Sequence, residues 1–358
     1  MSWYPGTEGE RRVNAGSLRV FTADLFERCG MNGADAALVA DSLVSADERG
    51  VHSHGVLRVP EYVGKLRTGG VNPAGRPELV SENGAALVVD GGNAMGQVAA
   101  MFAMRAALER AAALGVAFAA VRGSNHCGAM FYYAMEALGH GMIGLCATNA
   151  LPTMAPWGGT EKLVGINPLA VAIPTRDEAA VVLDAAFSYS SHGKIRVFQQ
   201  KGEPMPAGWA FDANGEPTTD AAQALTGLLQ PIGEFKGVGL AVVFGMLSTL
   251  LSGASYGTRL GNMTDGPKAG ADGHFFLALN IAAFTDPERF REAADEVVRE
   301  IRTGRRRAGA DPLYAPGGME AATQVRYKAE GIPLNGVTME GLRFAAHLLG
   351  ADAGFLNP

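Results

Sequence analysis

Cysteine is almost missing from this 358-residue chain, which carries only Cys29, Cys127 and Cys146. Three scattered thiols exclude a disulfide framework and a cysteine-built zinc site. A basic excess is lacking too: 30 Lys and Arg stand against 36 Asp and Glu, a net charge of −6, which excludes a nucleic-acid partner. No apolar stretch reaches the about 20 residues of a membrane span. The longest, Val238 to Leu251, is interrupted by glycines. The stretch MSWYPGTEGERR has no apolar core of a secretory leader, so a cytoplasmic protein with no membrane partner is expected. Three signatures are absent as well: G-x-G-x-x-G at a strand-to-helix junction, G-x-x-x-x-G-K-[ST] and G-x-S-x-G. Gly237-Val-Gly239 comes nearest to the first, but Val242 holds the third glycine's place. A standard Rossmann domain is therefore not indicated. His52, His54, His126 and His192 show no metal-binding spacing, and no metal is expected.

What remains is a chain that is 47% hydrophobic, rich enough in apolar residues to bury a large core. At roughly 150 residues per domain it predicts two domains. Periodicity predicts helices over 16–29, ending at Gly30, and over 34–48, with Ala36, Val39, Ala40, Leu43 and Val44 on one face. A third helix is predicted to begin near Ser53, burying Val56, Val59, Val63 and Leu66. Further helices are expected over 94–113, 129–139, 237–252 (buried) and 287–301, the last capped by Asp286 with Pro287 behind it. Strands are expected at 87–90, 116–121, 142–147, 169–173, 180–184 and 275–284. The segment 201–220, full of proline and glycine, reads as an irregular loop. Its Trp209 and Phe211 have no evident core face and suggest a subunit contact.

Two polar clusters stand out. In Asp47-Glu-Arg-Gly-Val-His-Ser-His-Gly-Val-Leu-Arg58, a helix capped by Ser53 places His54 in its first turn and Arg58 four residues on, on one face. Arg58 then suits a carboxylate and His54 a proton transfer at a neighbouring carbonyl. A cap and a surface arginine are the plainer alternative. The second cluster, Gly123-Ser-Asn-His-Cys-Gly128, lies between a strand and a helix, where backbone amides cradle ligands. His126 there is a candidate acid, or a merely structural loop histidine.

These stretches, with Pro156-Trp-Gly-Gly159, Gly165-Ile-Asn-Pro168, Val182-Leu-Asp-Ala185, Gly193-Lys194, Gly202-Glu-Pro, Gly208-Trp209 and Pro231-Ile-Gly-Glu-Phe-Lys-Gly-Val-Gly-Leu240, occur in the order of one family. The chain resembles the malate/L-lactate dehydrogenase family of the non-Rossmann type from about residue 13 to 350. That family also holds ureidoglycolate and sulfolactate dehydrogenases, diketogulonate reductases and Δ1-piperideine-2-carboxylate reductases. The resemblance implies an α/β (α+β-like) fold. An atypical NAD(P)-binding and catalytic domain with a largely antiparallel sheet would span 75–285, including the 201–220 loop. A helical domain would be formed by 1–74 together with 286–358. It implies NAD or NADP as cofactor, a small carboxylate substrate and a homodimer.

By resemblance, His54 is the proton donor, Ser53 its hydrogen-bonded neighbour and His126 a rival for the role. Arg58 and Asn149 are substrate contacts. Ser124, Asn125, His126, Cys127, Gly128, Asp184, Ala185, Ala186, Gly233, Lys236, Pro316 and Gly317 are cofactor contacts. The implied reaction moves a hydride between nicotinamide and C2 of a 2-oxo or 2-hydroxy acid. Ile166 stands where threonine is usual, and Lys194 where imine-reducing members carry aspartate. Reduction of a cyclic imine is therefore the second reading. A non-catalytic nucleotide or metabolite binder is the reading from another class, opposed by the intact Ser53, His54 and Arg58.

Overall fold

Asparagine and aspartate set the starts of the helices. In the computed structural model, which describes residues 9–356, Asn14 accepts from Ser17 N, Asn32 from Asp35 N, Asp286 from Arg289 N and Asn335 from Thr338 N. Each side-chain oxygen satisfies an amide that the first helical turn leaves without a partner. The resulting helices are Ala15–Arg28, Gly33–Glu48, Pro287–Thr303 and Gly336–Leu349.

A seven-stranded sheet fills the middle of the molecule. Its spatial order is Glu78–Asn83, Ala86–Asp90, Val116–Ser124, Asp272–Asn280, Met142–Thr148, Leu169–Ile173 and Val181–Ala185. Only Ala86–Asp90 and Val116–Ser124 run parallel; every other neighbouring pair is antiparallel. The parallel pair is joined by the helix Gly96–Leu114, whose Ala99, Ala100, Ala103, Ala107 and Ala111 are fully buried. Small side chains on this face let the helix lie close to the sheet. The strand Asp272–Asn280 inserts between Val116–Ser124 and Met142–Thr148. The 116–139 strand–loop–helix is thus no half of a Rossmann unit, and a glycine-rich dinucleotide fingerprint has no place in this topology.

A second core is built from both ends of the chain. Leu18, Leu25, Phe26, Leu43, Val59 and Tyr62 pack with Tyr327, Ile332, Leu342, Ala345 and Leu356. An antiparallel ladder of Arg11–Val13 with Ile332–Leu334 closes it.

Three readings of the sequence need correction. The 201–220 segment is irregular over most of its length, but Trp209 in it does have a core face. Trp209 is only 5% exposed and meets Phe198 edge-on at 5.6 Å, while Ala210–Phe211 pairs with Pro217–Thr218 and Leu228–Leu229. Met205, Trp209 and Ala210 find a third core within their own subunit, formed with Met154, Ile195 and Phe198. The helix read as buried, observed at Phe235–Thr249, is exposed on one side: Phe235, Leu240, Val243, Met246 and Leu247 reach solvent. The apolar stripe of Pro287–Thr303 is also only partly covered. Val298 is buried, Val297 and Ile301 are not, and the other buried residue of the helix is Asp295, outside the stripe. The Asp295 carboxylate accepts the amides of Arg176, Asp177 and Glu178, so the helix turns a polar side inward.

Candidate active site

The segment that carries Ser53, His54 and Arg58 is not one helix. Gly55 is extended, at φ −90° and ψ −156°, and separates two 3-10 turns, His52–His54 and Val56–Arg58; the α-helix begins only at Val59. Ser53 caps nothing. Asp47, nine residues upstream of Val56, supplies the cap instead: one oxygen accepts Val56 N–H and the other pairs with His52 Nδ1, each at 2.7 Å. A Cβ on Gly55 would lie 2.1 Å from that carboxylate, so glycine is required there.

The break places the polar groups around one another. Ser53 Oγ and His54 Nδ1 are 2.9 Å apart. Arg58 Nε donates to Ser53 O at 2.9 Å and Arg58 Nη1 to Glu61 at 2.8 Å. These bonds engage two of the five guanidinium donors and hold the fork in one plane. Glu61 is shared with Arg196. Burial pushes the Glu61 carboxyl up, but the two arginines outweigh it and hold it below the usual range.

Facing His54 lies His126. Its ring stacks on that of His54, centroids 5.7 Å apart and planes within 9°. Tyr62 Oη lies 2.7 Å from His126 Nδ1, which also accepts Gly128 N–H at 3.3 Å; Gln97 donates to Tyr62 Oη at 3.2 Å. An Nδ1 that accepts leaves the proton of the neutral ring on Nε2. Burial lowers His126 to about 3, helped by Arg58 and His274. Burial also takes His54 well below its ordinary value, with Arg58, His126 and Lys194 adding to the fall. Both imidazoles are neutral at pH 7. Tyr62, Gln97, Glu61 and Arg196 are absent from the sequence reading. Glu61 and Tyr62, three and four residues after Arg58, were the available signal.

The other residues expected in the site divide into two sets. Ser124, Asn125, Cys127 and Asn149 are buried and bound to the scaffold. Ser124 Oγ meets His274 Nε2 at 2.8 Å, and His274 Nδ1 meets Thr148 Oγ1 at 2.7 Å. Asn125 donates to Asn93 Oδ1 and Ala94 O and accepts from Gly270 N. Asn149 donates to Ser255 O and accepts from Gly273 N. The Cys127 thiol lies in the core beside Met130.

The second set forms a continuous band along the last strand, at the open edge of the sheet. Val182 N donates to Pro316 O at 2.9 Å, and Gly317, at φ +82°, approaches Val182 so closely that a Cβ would come within 2.7 Å of its carbonyl. Asp184 opens to solvent on one side, while its carboxylate reaches inward to accept Phe131 N–H at 2.8 Å, just past Gly128. Burial of that end raises it to about 6. Ala185 and Ala186 follow, and Phe187 O accepts Ile232 N–H at 3.1 Å, which brings the Gly233–Lys236 turn alongside. Gly233 and Glu234 both have positive φ, 55° and 59°.

Among the described residues no three His, Cys, Asp or Glu side chains gather as a metal site, and no helix is long and apolar enough to cross a membrane. A largely antiparallel sheet with an inserted strand thus stands beside paired imidazoles and a fixed arginine. Residues 13–343 match the family model described as malate/L-lactate dehydrogenase. The chain belongs to that family and is a dehydrogenase acting on hydroxy acids. It is 35% identical over 347 residues to the malate dehydrogenase of Pyrococcus abyssi, covering 95% of each chain. It is 37% identical over 305 residues to the L-sulfolactate dehydrogenase of Methanocaldococcus jannaschii, covering 85% of this chain and 88% of that one. The crystal structure of malate dehydrogenase from Entamoeba histolytica superposes with a TM-score of 0.92 at 28% identity, over 96% of this chain and 99% of that chain.

Proposed function

We propose that the protein is an NAD(P)-dependent oxidoreductase that interconverts a small 2-oxo carboxylate and its 2-hydroxy acid. The stack of His54 on His126, next to an Arg58 whose fork is held by Ser53 O and Glu61, carries this reading. When bound, the nicotinamide supplies or accepts the hydride at C2. Arg58 holds the carboxylate beside that carbon through its remaining donors. His126, with its proton fixed on Nε2 by Tyr62, donates a hydrogen bond to the C2 oxygen. His54 moves the proton at that oxygen, and Ser53 sets its ring through Nδ1. A neutral His54 accepts the hydroxyl proton in the oxidative direction. In the reductive direction it must first be protonated, and a carboxylate on Arg58 offsets the charge that otherwise opposes this.

The band from Gly317 through Asp184–Ala186 to Lys236 fits a dinucleotide. It has small side chains, a turn whose two positive-φ residues open onto the amides of the Phe235–Thr249 helix, and the exposed Lys236. Residues 184–186, 233, 236, 316 and 317 would hold the cofactor there. NADH and NADPH assayed with a panel of 2-oxo acids and cyclic imines test the reading. Cofactor oxidation is expected with at least one 2-oxo acid, and turnover confined to cyclic imines would replace this reading with the imine-reductase one.

We also propose that the protein is a homodimer. The exposed side of the Phe235–Thr249 helix, with Leu240, Val243 and Met246, is the candidate contact in place of 201–220. Light scattering should report a dimer for the wild type and a monomer for a Val243→Glu, Met246→Glu variant.

A further inference from the structure

The turn that carries Ser53, His54 and Arg58 is not the conformation its spacing favours. The periodicity suits one helix from Ser53 onward, yet the chain breaks at Gly55. One side chain grips both sides of that break. Asp47, in the last turn of Gly33–Glu48, is 1% exposed, and each of its oxygens is engaged: Oδ2 accepts Val56 N–H and Oδ1 meets His52 Nδ1. A carboxylate only accepts, so His52 holds its proton on Nδ1. A Cβ at Gly55 would lie 2.1 to 2.2 Å from all three carboxyl atoms, so the group lies against the backbone at the break itself. The His52 ring rests beside Tyr327 of the helix Gly318–Glu330, centroids 6.0 Å apart.

The break changes what the backbone offers. In a continuous α-helix the carbonyl of Ser53 accepts the amide of Leu57. Here it accepts Arg58 Nε, at 2.9 Å, and that bond orients the guanidinium fork. His54, between the two points that Asp47 grips, has its Nδ1 2.9 Å from Ser53 Oγ. The helix His192–Lys201 leaves the turn little room: a Cβ at Gly193 would come 2.6 Å from Arg58 Nη2 and 3.0 Å from Ser53 O.

We propose that Asp47 is a positioning residue of the reaction: it holds the 52–56 turn broken and so sets Ser53 O, His54 and Arg58 in their working arrangement, without touching substrate or cofactor. This rests on the roles given to His54 and Arg58 above. His54 is shifted downward by burial first, then by Arg58, His126 and Lys194, with Glu61 opposing. Release of the turn moves His54 and Arg58 apart and admits water, so the imidazole climbs back toward its ordinary value of ~6.5. Its titration is therefore a readout that needs no turnover.

Asp47→Ala, Asp47→Asn, Gly55→Ala and the double variant Asp47→Ala, Gly55→Ala are compared with the wild type where circular dichroism shows each to be folded. In Asp47→Ala, kcat/KM on the best 2-oxo acid should fall at least ~30-fold, with kcat lowered and KM raised, while the Kd of the better cofactor, read by nicotinamide fluorescence, stays within ~3-fold. The His54 ring proton, followed by NMR, should titrate near ~6.5 in Asp47→Ala and well below that in the wild type. Asp47→Asn keeps an oxygen for Val56 N–H and should recover at least ~5-fold of the loss. Gly55→Ala displaces the carboxylate and should lower kcat/KM in the same way. The double variant should fall no further than the worse single, because both act on one contact. An Asp47→Ala that keeps kcat/KM within ~3-fold of the wild type, or loses stability alone with an unshifted His54, overturns the assignment, as do losses that multiply in the double variant. If Asp47→Ala does not fold, Gly55→Ala decides: unchanged kcat/KM and an unshifted His54 overturn the assignment, and a loss with a raised His54 supports it. A wild type inert to every 2-oxo acid overturns the roles of His54 and Arg58, and this inference falls with them, whereas failure at Asp47 alone leaves those roles standing.

Discussion

In the loop 124–128, hydrogen bonds run to distant parts of the chain: Ser124 to His274, Asn125 to Asn93, Ala94 and Gly270. In the segment 53–61 the core of the network is local, linking Ser53 with His54, Arg58 with Ser53 O, and Arg58 with Glu61, and one long-range tie runs from Glu61 to Arg196. The two stretches look equally polar as sequence, yet the first is a joint of the scaffold that presents one imidazole. The second is a small constellation with its own internal order. Polar residues close together in a chain mark a place where geometry is fixed; only the partners show what is fixed.

The sharpest test of the contrast is His54→Ala. Turnover on the best 2-oxo acid should drop at least ~100-fold, with cofactor affinity little changed. If His126→Ala abolishes turnover while His54→Ala costs only a few-fold, the proton carrier is His126 and the assignment of the pair is reversed. Asn125→Ala should act on stability. It leaves Gly270 N–H and Ala94 O without their buried partner, at a cost of about 2–3 kcal/mol. Chemical denaturation measures this, and an unchanged midpoint would mean that the loop is not a joint.

Acid should find the same joint. Burial lowers His274 from its ordinary value to about 4, so the unfolded chain binds its proton first. The stabilisation is complete above about pH 6.5 and is lost as the pH falls toward 4, amounting to about 2 kcal/mol by pH 5. Denaturation at pH 7 and pH 5 should show a smaller loss for His274→Gln than for the wild type. The smallest effect expected is that of Arg58→Lys, which keeps the charge and loses the fork: kcat/KM should fall ~10-fold, with KM raised. An unchanged KM would remove Arg58 from the substrate.

Local signals were the legible ones. Asp286 capping Pro287–Thr303 and the buried face of Gly33–Glu48 follow from spacing alone. The sheet order does not, because the strand Asp272–Asn280 comes from far downstream to sit between two earlier strands. At the site, spacing predicted one helix from Ser53 to Arg58, but the Asp47 carboxylate stabilises a break at Gly55. Trp209 and Val243 show the same limit at the surface. Composition said that both were apolar, and only the packing of other segments decided that the first is covered and the second is not.

The core shared by the two ends of the chain also sets a timetable. Leu18, Val59 and Tyr62 have their full complement of neighbours only once Tyr327, Ile332 and Leu342 have been made. At roughly 5–20 residues per second, that wait on the ribosome is on the order of ten to sixty seconds. Tyr62, which orders His126, waits with them. A nascent chain therefore carries His54, Arg58 and His126 long before it can hold them in place, and catalytic competence arrives last, when the final helices dock.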